Sequence, residues 1–455
     1  MPRRKPTVYL PALALSASLL LSGCGGSDTA AGSGTAGNGT AGNGTAADTA
    51  GNDSAANSDP DFISIFDVEA ETPEDLERVP LTYAGYPREE TSASDGLLFS
   101  YDNNSLFVTD YTTGQPPAGF PAEDDYTRNT LYRGMGSVTL FTLPVAADGY
   151  LYFSDSVVEG EAGDDEQELA RFNLETGLPE VLATTTEPPQ ITVHEGTLYY
   201  LADGLLTALD TGTGKQLWQA DCDVESAIDV VLAVTENAVG VMHTETFNAF
   251  SREDGKQLAD RDAETWYMGL AAGPDGFYLA QRTEDTQERF TSASDIYRID
   301  DLQGDEEKIA TTRETDEPEL MNLHMSVEDG TLLLKSDSEL HAVDTETGET
   351  LWTAGVRAER FSREVEREIP RVELFAAFDG DLTYLYATGE ARDGDAEETN
   401  RLLALDTATG EIRAAYDLEA DFASYGPEID GRNLVFLLNN SSDPEYEALI
   451  LPKVS

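Results

Sequence analysis

The sequence predicts an all-β chain, an eight-bladed β-propeller of four-stranded blades closed by an N-terminal strand, with seven blades as the second choice. Two observations predict it. An eleven-residue stretch, Ala208-Leu-Asp210-Thr-Gly-Thr213-Gly214-Lys-Gln-Leu-Trp218, returns as Ala342-Val-Asp344-Thr-Glu-Thr347-Gly348-Glu-Thr-Leu-Trp352. It returns again as Ala404-Leu-Asp406-Thr-Ala-Thr409-Gly410, with Ala414 in the place of the tryptophan. Four weaker copies share the glycine, at Gly114, Gly177, Gly255 and Gly304, with Ala118, Val181, Ala259 and Lys308 in the tryptophan place. A second mark recurs eight times: Asp95-Gly96, Asp148-Gly149, Glu195-Gly196, Glu236-Asn237, Asp275-Gly276, Asp329-Gly330, Asp379-Gly380 and Asp430-Gly431.

Each element follows from local chemistry. An apolar strand runs into Asp210, Asp344 or Asp406, whose carboxylate can accept backbone N–H bonds across a turn. Thr213-Gly214, Thr347-Gly348 and Thr409-Gly410 then close the turn, the glycine taking the positive φ of a bulged hairpin. The Asp-Gly pairs precede alternating or apolar runs such as Leu198-Tyr-Tyr-Leu201 and Thr331-Leu-Leu-Leu334, which read as strands. A repeat is therefore strand A, Asp-Gly turn, strand B, variable loop, strand C, Thr-Gly turn and strand D. Trp218 and Trp352 fall on strand D, where a flat side chain can fill the wedge between neighbouring sheets.

The last repeat lacks a D strand, and the run Asp61-Phe-Ile-Ser-Ile-Phe66 is expected to supply it, closing the ring and hiding both open edges. One or two helical turns are expected over 72–78, and the arginine-rich stretch 357–371 is the other helical candidate, read as a solvated, ion-paired connection. The Asp-Gly and Thr-Gly turns share one face of the ring. The long B-to-C insertions 154–167, 282–294, 388–400 and 439–447 share the other, and that face is the expected docking surface for a partner.

Residues 1–23 read as a lipoprotein signal peptide: Arg3, Arg4 and Lys5, an apolar run, and Leu21-Ser22-Gly23-Cys24, which resembles a lipobox with lipid on Cys24. Residues 24–60 form a linker rich in Gly, Ala, Thr and Asn that cannot bury a core, with an end-to-end distance of about 33 Å. The propeller occupies 61–455. The acidity of the whole chain is extreme, 87 Asp and Glu against 28 Lys and Arg for a net charge of −59, which excludes nucleic acid as a partner. Such dense like charge opposes compaction, and the Debye length shortens from about 10 Å at 0.1 M salt to about 3 Å at 1 M. The melting temperature is accordingly expected to rise with sodium chloride through the molar range. A melting temperature independent of salt would contradict this, and a steep response to micromolar calcium alone would point to specific calcium sites instead.

With Cys24 lipidated, Cys222 is a lone thiol and reads as a small buried filler. His194, His243, His324 and His341 are read as lying in separate repeats without metal-ligand spacing. The sequence contains no Gly-x-Ser-x-Gly, His-Glu-x-x-His or Walker loop.

The repeat Ala-x-Asp-x-x-Thr-Gly-x-x-x-Trp resembles that of the PQQ-like, or quinoprotein-type, propellers over roughly residues 61–455. The resemblance implies an eight-bladed ring and two kinds of activity. Quinone-dependent dehydrogenases of the family commonly hold PQQ with adjacent cysteines and a tryptophan floor, beside calcium. This chain has no Cys-Cys pair, so no catalytic, cofactor-binding or metal residue is assigned, and PQQ and calcium stay unsupported as cofactors. Non-enzymatic relatives include the lipidated propeller of the outer-membrane protein assembly machine, which the chain resembles in lipobox and repeat type. The expected function is a non-catalytic, membrane-anchored binding or scaffold module on the extracytoplasmic side of the cell envelope. It would be a monomer, held at the membrane through Cys24, with an envelope or surface protein as partner; the alternative is a PQQ- and calcium-dependent dehydrogenase.

Overall fold

In the computed structural model the described residues run from 62 to 454, apart from 74, 82–90, 103–104, 118–144, 158–165, 225–226, 228–229, 264, 284–292, 305, 313–322, 336–338, 357–372, 390–398, 419–422 and 440–445. Before the blades come β1 (Phe62–Ser64), a single 3-10 turn (Ile65–Asp67) and β2 (Glu77–Leu81). Blade 1 holds β3 (Thr91–Ser94), β4 (Leu97–Asp102) and β5 (Ser105–Asp110), and Asp110 forms an isolated antiparallel bridge with Gln115. Blade 2 holds β6 (Val145–Ala147), β7 (Tyr150–Val157), β8 (Glu166–Asn173) and β9 (Leu178–Thr185). Blade 3 holds β10 (Gln190–His194), β11 (Thr197–Ala202), β12 (Leu205–Asp210) and β13 (Gln216–Asp221). Blade 4 holds β14 (Val231–Val234), β15 (Ala238–Met242), β16 (Thr246–Ser251) and β17 (Gln257–Asp262). Blade 5 holds β18 (Tyr267–Gly273), β19 (Gly276–Arg282), β20 (Ser294–Ile299) and β21 (Glu307–Thr311). Blade 6 holds β22 (His324–Glu328), β23 (Thr331–Lys335), β24 (Glu339–Asp344) and β25 (Thr350–Gly355). Blade 7 holds β26 (Glu373–Asp379), β27 (Leu382–Gly389), β28 (Thr399–Asp406) and β29 (Ile412–Leu418). Blade 8 holds β30 (Ala423–Asp430), β31 (Asn433–Asn439) and β32 (Tyr446–Pro452).

Every blade is an antiparallel meander, and the eight blades form a closed ring. The ring is visible in the core, which divides into eight apolar clusters, one at each junction of successive blades. Phe247 of blade 4 meets Phe277 of blade 5 edge-on at 5.4 Å, and Tyr386 of blade 7 meets Phe436 of blade 8 likewise at 5.3 Å. The closing junction packs Val79, Leu81 and Leu437 against Ala93 and Leu98 of blade 1. Each sheet is too small to bury both faces alone, so the neighbours on either side supply what it lacks.

In four blades the A-to-B connection is a tight hairpin with the paired positive φ of a type I′ turn, as with 52° at Asp148 and 78° at Gly149, and 44° and 80° at Asp329 and Gly330. The C-to-D ladder slips register in six blades. In four of them the slip lies just before the turn, between Ala208 and Leu209, Ala249 and Phe250, Ala342 and Val343, and Ala404 and Leu405, as a bulge beside the turn. In blades 2 and 5 it lies two residues earlier, between Leu169 and Ala170 and between Ile296 and Tyr297.

An N-terminal strand does close the ring, but a different one from that expected. The run 61–66 does not complete the last blade. Phe62–Ser64 pairs in parallel with β25 as a fifth strand on blade 6, and residues 65–67 coil into the 3-10 turn. The D strand of blade 8 is β2, antiparallel to β32. The helical turn expected over 72–78 is therefore absent at its end, where Glu77 and Arg78 open β2. Between β1 and β2, Glu71 bridges Tyr416 in parallel, donating its N–H to Ala415 C=O at 3.1 Å and accepting from Asp417 N–H at 3.0 Å. Residues 62–81 thus form a strap along the outer edges of blades 6, 7 and 8. Arg401 of blade 7 clamps it through the carbonyls of Ile65 and Val68. Among the described residues no helix is long and apolar enough to cross a membrane.

Candidate functional site

The repeat motif organises the junctions between blades. In the turns, Asp210 Oδ1 accepts from Thr213 N–H at 2.8 Å and from its hydroxyl at 2.6 Å; Asp344 does the same with Thr347 at 2.6 and 2.9 Å, and Asp406 with Thr409 at 3.0 and 2.7 Å. Hydrogen bonds to the ionised form hold these carboxylates below their ordinary range: chiefly the Thr213 hydroxyl for Asp210, Thr347 N–H for Asp344, and the Arg413 guanidinium for Asp406. The tips of all three turns, with Thr213, Thr347 and Thr409, face solvent, while the threonine after each aspartate (Thr211, Thr345, Thr407) is buried, and what the turns order is the glycine. Gly214 N–H returns to Asp210 C=O, Gly348 to Asp344 and Gly410 to Asp406.

Those glycines are platforms for the preceding blade. Trp352 of blade 6 is 2% exposed and lies on Gly410 of blade 7, where an added Cβ would come within 2.6 Å of the indole. Its Nε1–H donates to Thr407 C=O at 2.9 Å. Trp218 of blade 3 lies on Gly255 of blade 4 in the same way and donates to Arg252 C=O at 2.8 Å. Each tryptophan stands opposite an alanine in the ladder, Ala342 and Ala208, which leaves it room to fold across the strand.

Sequence reasoning missed how two other junctions are made. In blades 2 and 5 the tryptophan is absent and the motif alanine is replaced by Arg171 and Arg298. Arg171 Nη1 donates to Thr211 C=O of blade 3 at 2.7 Å, and Arg298 Nη1 to Thr345 C=O of blade 6 at 2.9 Å. Both reach the carbonyl that the tryptophans reach elsewhere. Arg171 also lies 4.2 Å from the centre of the Tyr150 ring. Each guanidinium pairs at 2.7 Å with a cross-strand glutamate, Glu180 or Glu307. A large side chain moves from strand D to strand C, and the docking bond stays. The signal was present in Arg171-Phe-Asn173 and Arg298-Ile-Asp300, where the alanine and the tryptophan are lost together.

The other candidates do not converge. Cys222 is buried, and burial first, then Asp223 and Asp260, pushes its thiol up to about 12, so it is no nucleophile at neutral pH. His324 and His341 share blade 6 instead of lying in separate repeats, on strands separated by β23; His194 and His243 are in blades 3 and 4. Among the described residues no group of three His, Cys, Asp or Glu could hold a metal ion. Cys24, the interiors of the four B-to-C insertions and the stretch 357–371 lie outside the described residues, and with them Asp164, Asp165 and the other acidic side chains within those interiors.

The residues that are described do not fit a quinone of the kind implied by the repeat. Trp218 and Trp352 are committed to blade junctions, and the third tryptophan, Trp266, is 48% exposed with the Arg282 guanidinium 5.7 Å from its ring centre. The chain has just two cysteines, Cys24 and Cys222, so no vicinal pair can form.

A family model described as outer membrane protein assembly factor BamB matches residues 154–435, from β7 of blade 2 to β31 of blade 8. No curated protein matches the chain. Among solved structures it is similar to the computationally designed Ika8 protein, with 15% identity and a TM-score of 0.47 over 82% of this chain and 99% of the other. It is similar to BamB from Moraxella catarrhalis, with 12% identity and a TM-score of 0.43 over 80% and 96%. A third is the quinohemoprotein alcohol dehydrogenase from Comamonas testosteroni, with 13% identity and a TM-score of 0.34 over 69% and 67%.

Proposed function

Because the chain belongs to the family described as outer membrane protein assembly factor BamB, we propose that it is a non-catalytic scaffold of the cell envelope, a rigid ring that binds a protein partner on the extracytoplasmic side. The family match over most of the ring carries this reading. The use of Trp218 and Trp352 to bolt blade to blade supports it, because a quinone enzyme of this fold would need a tryptophan under its cofactor. The lipid on Cys24 anchors the ring to the membrane, and residues 24–60 hold it off the surface. As the N-terminal strap enters the ring along its rim at β25, the tether would leave both faces of the ring clear.

Two measurements test this. Cys24→Ser is expected to move the protein from the membrane fraction to the soluble fraction, and retention in the membrane would reject the lipid anchor. Purified protein incubated with PQQ and calcium is expected to retain no chromophore and to reduce no dye with simple alcohols and sugars. Stoichiometric binding with turnover would place the protein with the dehydrogenases.

A further inference from the structure

The outer edges of the blades differ in a way that singles out one of them. Seven outer strands are described: β9, β13, β17, β21, β25, β29 and β2. Natural sheet edges are protected by charge or proline. β9 carries Pro179 and Glu180, β17 Asp260 and Arg261, β21 Glu307 and Lys308, β29 Arg413 and Asp417, and β2 Glu77, Arg78 and Pro80. β13 (Gln-Leu-Trp-Gln-Ala-Asp) and β25 (Thr-Leu-Trp-Thr-Ala-Gly) alone have no charge and no proline in their first five residues. In a chain of net charge −59 that is a marked exception, and it occurs in the two repeats that are complete.

The edge of β25 is covered: β1 lies on it in parallel, with Phe62 opposite Thr353 and Ser64 opposite Gly355. The edge of β13 is the last in its sheet, and no described segment pairs with it. Its phase is fixed by the bond from Cys222 N–H to Gly204 C=O at 2.8 Å. With Leu206 opposite Ala220 and Ala208 opposite Trp218, the alternation of an antiparallel ladder turns the backbone of Ala220 and Trp218 inward and that of Gln219 and Asp221 outward. Gln219 and Asp221 follow Trp218 by one and three residues, the offsets at which Thr353 and Gly355 follow Trp352 and take β1. Leu217, next to the tryptophan, is 55% exposed.

We propose that the outer edge of β13 is a docking edge that takes an extended strand of a partner protein by parallel β-augmentation, as β25 takes β1. The strand it fits is short, apolar like Phe62-Ile-Ser64, and flanked by neutral or basic residues, since the ring repels acid. A second copy of this chain is a poor occupant, because its own β1 is flanked by Asp61 and Asp67 and is already seated on blade 6. The inference rests on the scaffold reading for its purpose. The quinone assay tests that reading, and the experiment below tests β13 alone, so the two fail separately.

The probe is a synthetic peptide, Phe-Ile-Ser-Ile-Phe with two lysines at each end, added to the full mature protein at low micromolar ring concentration. Hydrogen exchange at Gln219 and Asp221 is expected to slow at least tenfold at saturation, with no change in 350–355. Gln219→Pro deletes an outward N–H and no inward ladder bond, though it also removes the Gln219 Nε2–H bond to Thr207 Oγ1 at 3.1 Å, so it is expected to weaken binding at least tenfold with a modest fall in melting temperature. Leu217→Lys, which leaves the backbone intact and places a cation beside the lysine-flanked peptide, should also weaken it and guards against misfolding of the proline variant. The proposal is overturned if protection appears elsewhere or not at all, if both variants bind as the parent does, or if Gln219 and Asp221 are already protected in the free protein, which would mean the chain covers this edge itself.

Discussion

Trp352→Ala is expected to destabilise the ring by about 3–5 kcal/mol, the range for deleting a buried tryptophan from a core that cannot collapse around the gap. The side chain is 2% exposed, and the wedge it fills is bounded by the backbone of Gly410, which cannot move in without breaking the Asp406 turn. The change also leaves Thr407 C=O without its indole donor. Trp352→Phe separates the two contributions: it keeps most of the apolar contact and loses the bond, for which about 1–3 kcal/mol is expected. Urea unfolding of both variants in molar salt, followed by circular dichroism, measures the difference. An alanine variant that unfolds at the parent's midpoint would show that the blade junction does not depend on this residue.

Gly410→Ala should repeat the defect from the other side, because the position has φ of 70° and its Cβ would fall 2.6 Å from the indole. The motif was legible in the sequence for this reason. Aspartate, threonine, glycine and tryptophan each do something that few other residues can do at that place, so they recur at fixed offsets. What was not legible shares a different feature. The junctions made by Arg171 and Arg298 conserve a bond to one carbonyl and exchange the strand from which it is made, so a search for tryptophan at a fixed offset passes over them. The closing strand was misread for a related reason. Phe62-Ile-Ser-Ile-Phe66 alternates apolar residues and reads as a strand, which its first three residues are, but apolar alternation does not say which open edge a strand will take. Glu-Arg-Val-Pro-Leu, the segment that completes blade 8, buries just Val79 and Leu81 and shows charge and proline outward, as an outermost strand should. Its composition suited the edge better than the more apolar run did, and the strap needs residues 65–76 to reach from blade 6 to blade 8.

On β22, His324 and Glu328 are expected to give the protein opposite pH limbs. Burial, helped by the charge of Lys335 opposite it, lowers His324 from 6.5 to about 4. The unfolded chain therefore takes up a proton that the folded ring refuses, and stability contributed above pH 6.5 is lost as pH falls toward 4. The displacement corresponds to about 3 kcal/mol across that window. Burial raises Glu328 from 4.5 to about 7, with Asp329 and Asp379 adding to it and a bond from Ser326 opposing. Here the folded ring holds a proton that the unfolded chain has released, so stability is full below pH 4.5 and falls as pH rises to 7. The expected result is that His324→Gln flattens the acid limb between pH 6.5 and 4, and Glu328→Gln raises stability at pH 7.5 while leaving it nearly unchanged at pH 4.5. Melting temperatures of the two variants and the parent, taken across pH 4–8 at one high salt concentration so that the general acidity of the surface is screened alike, decide the matter. Parallel curves for parent and variants would show that neither side chain titrates across the range its burial dictates.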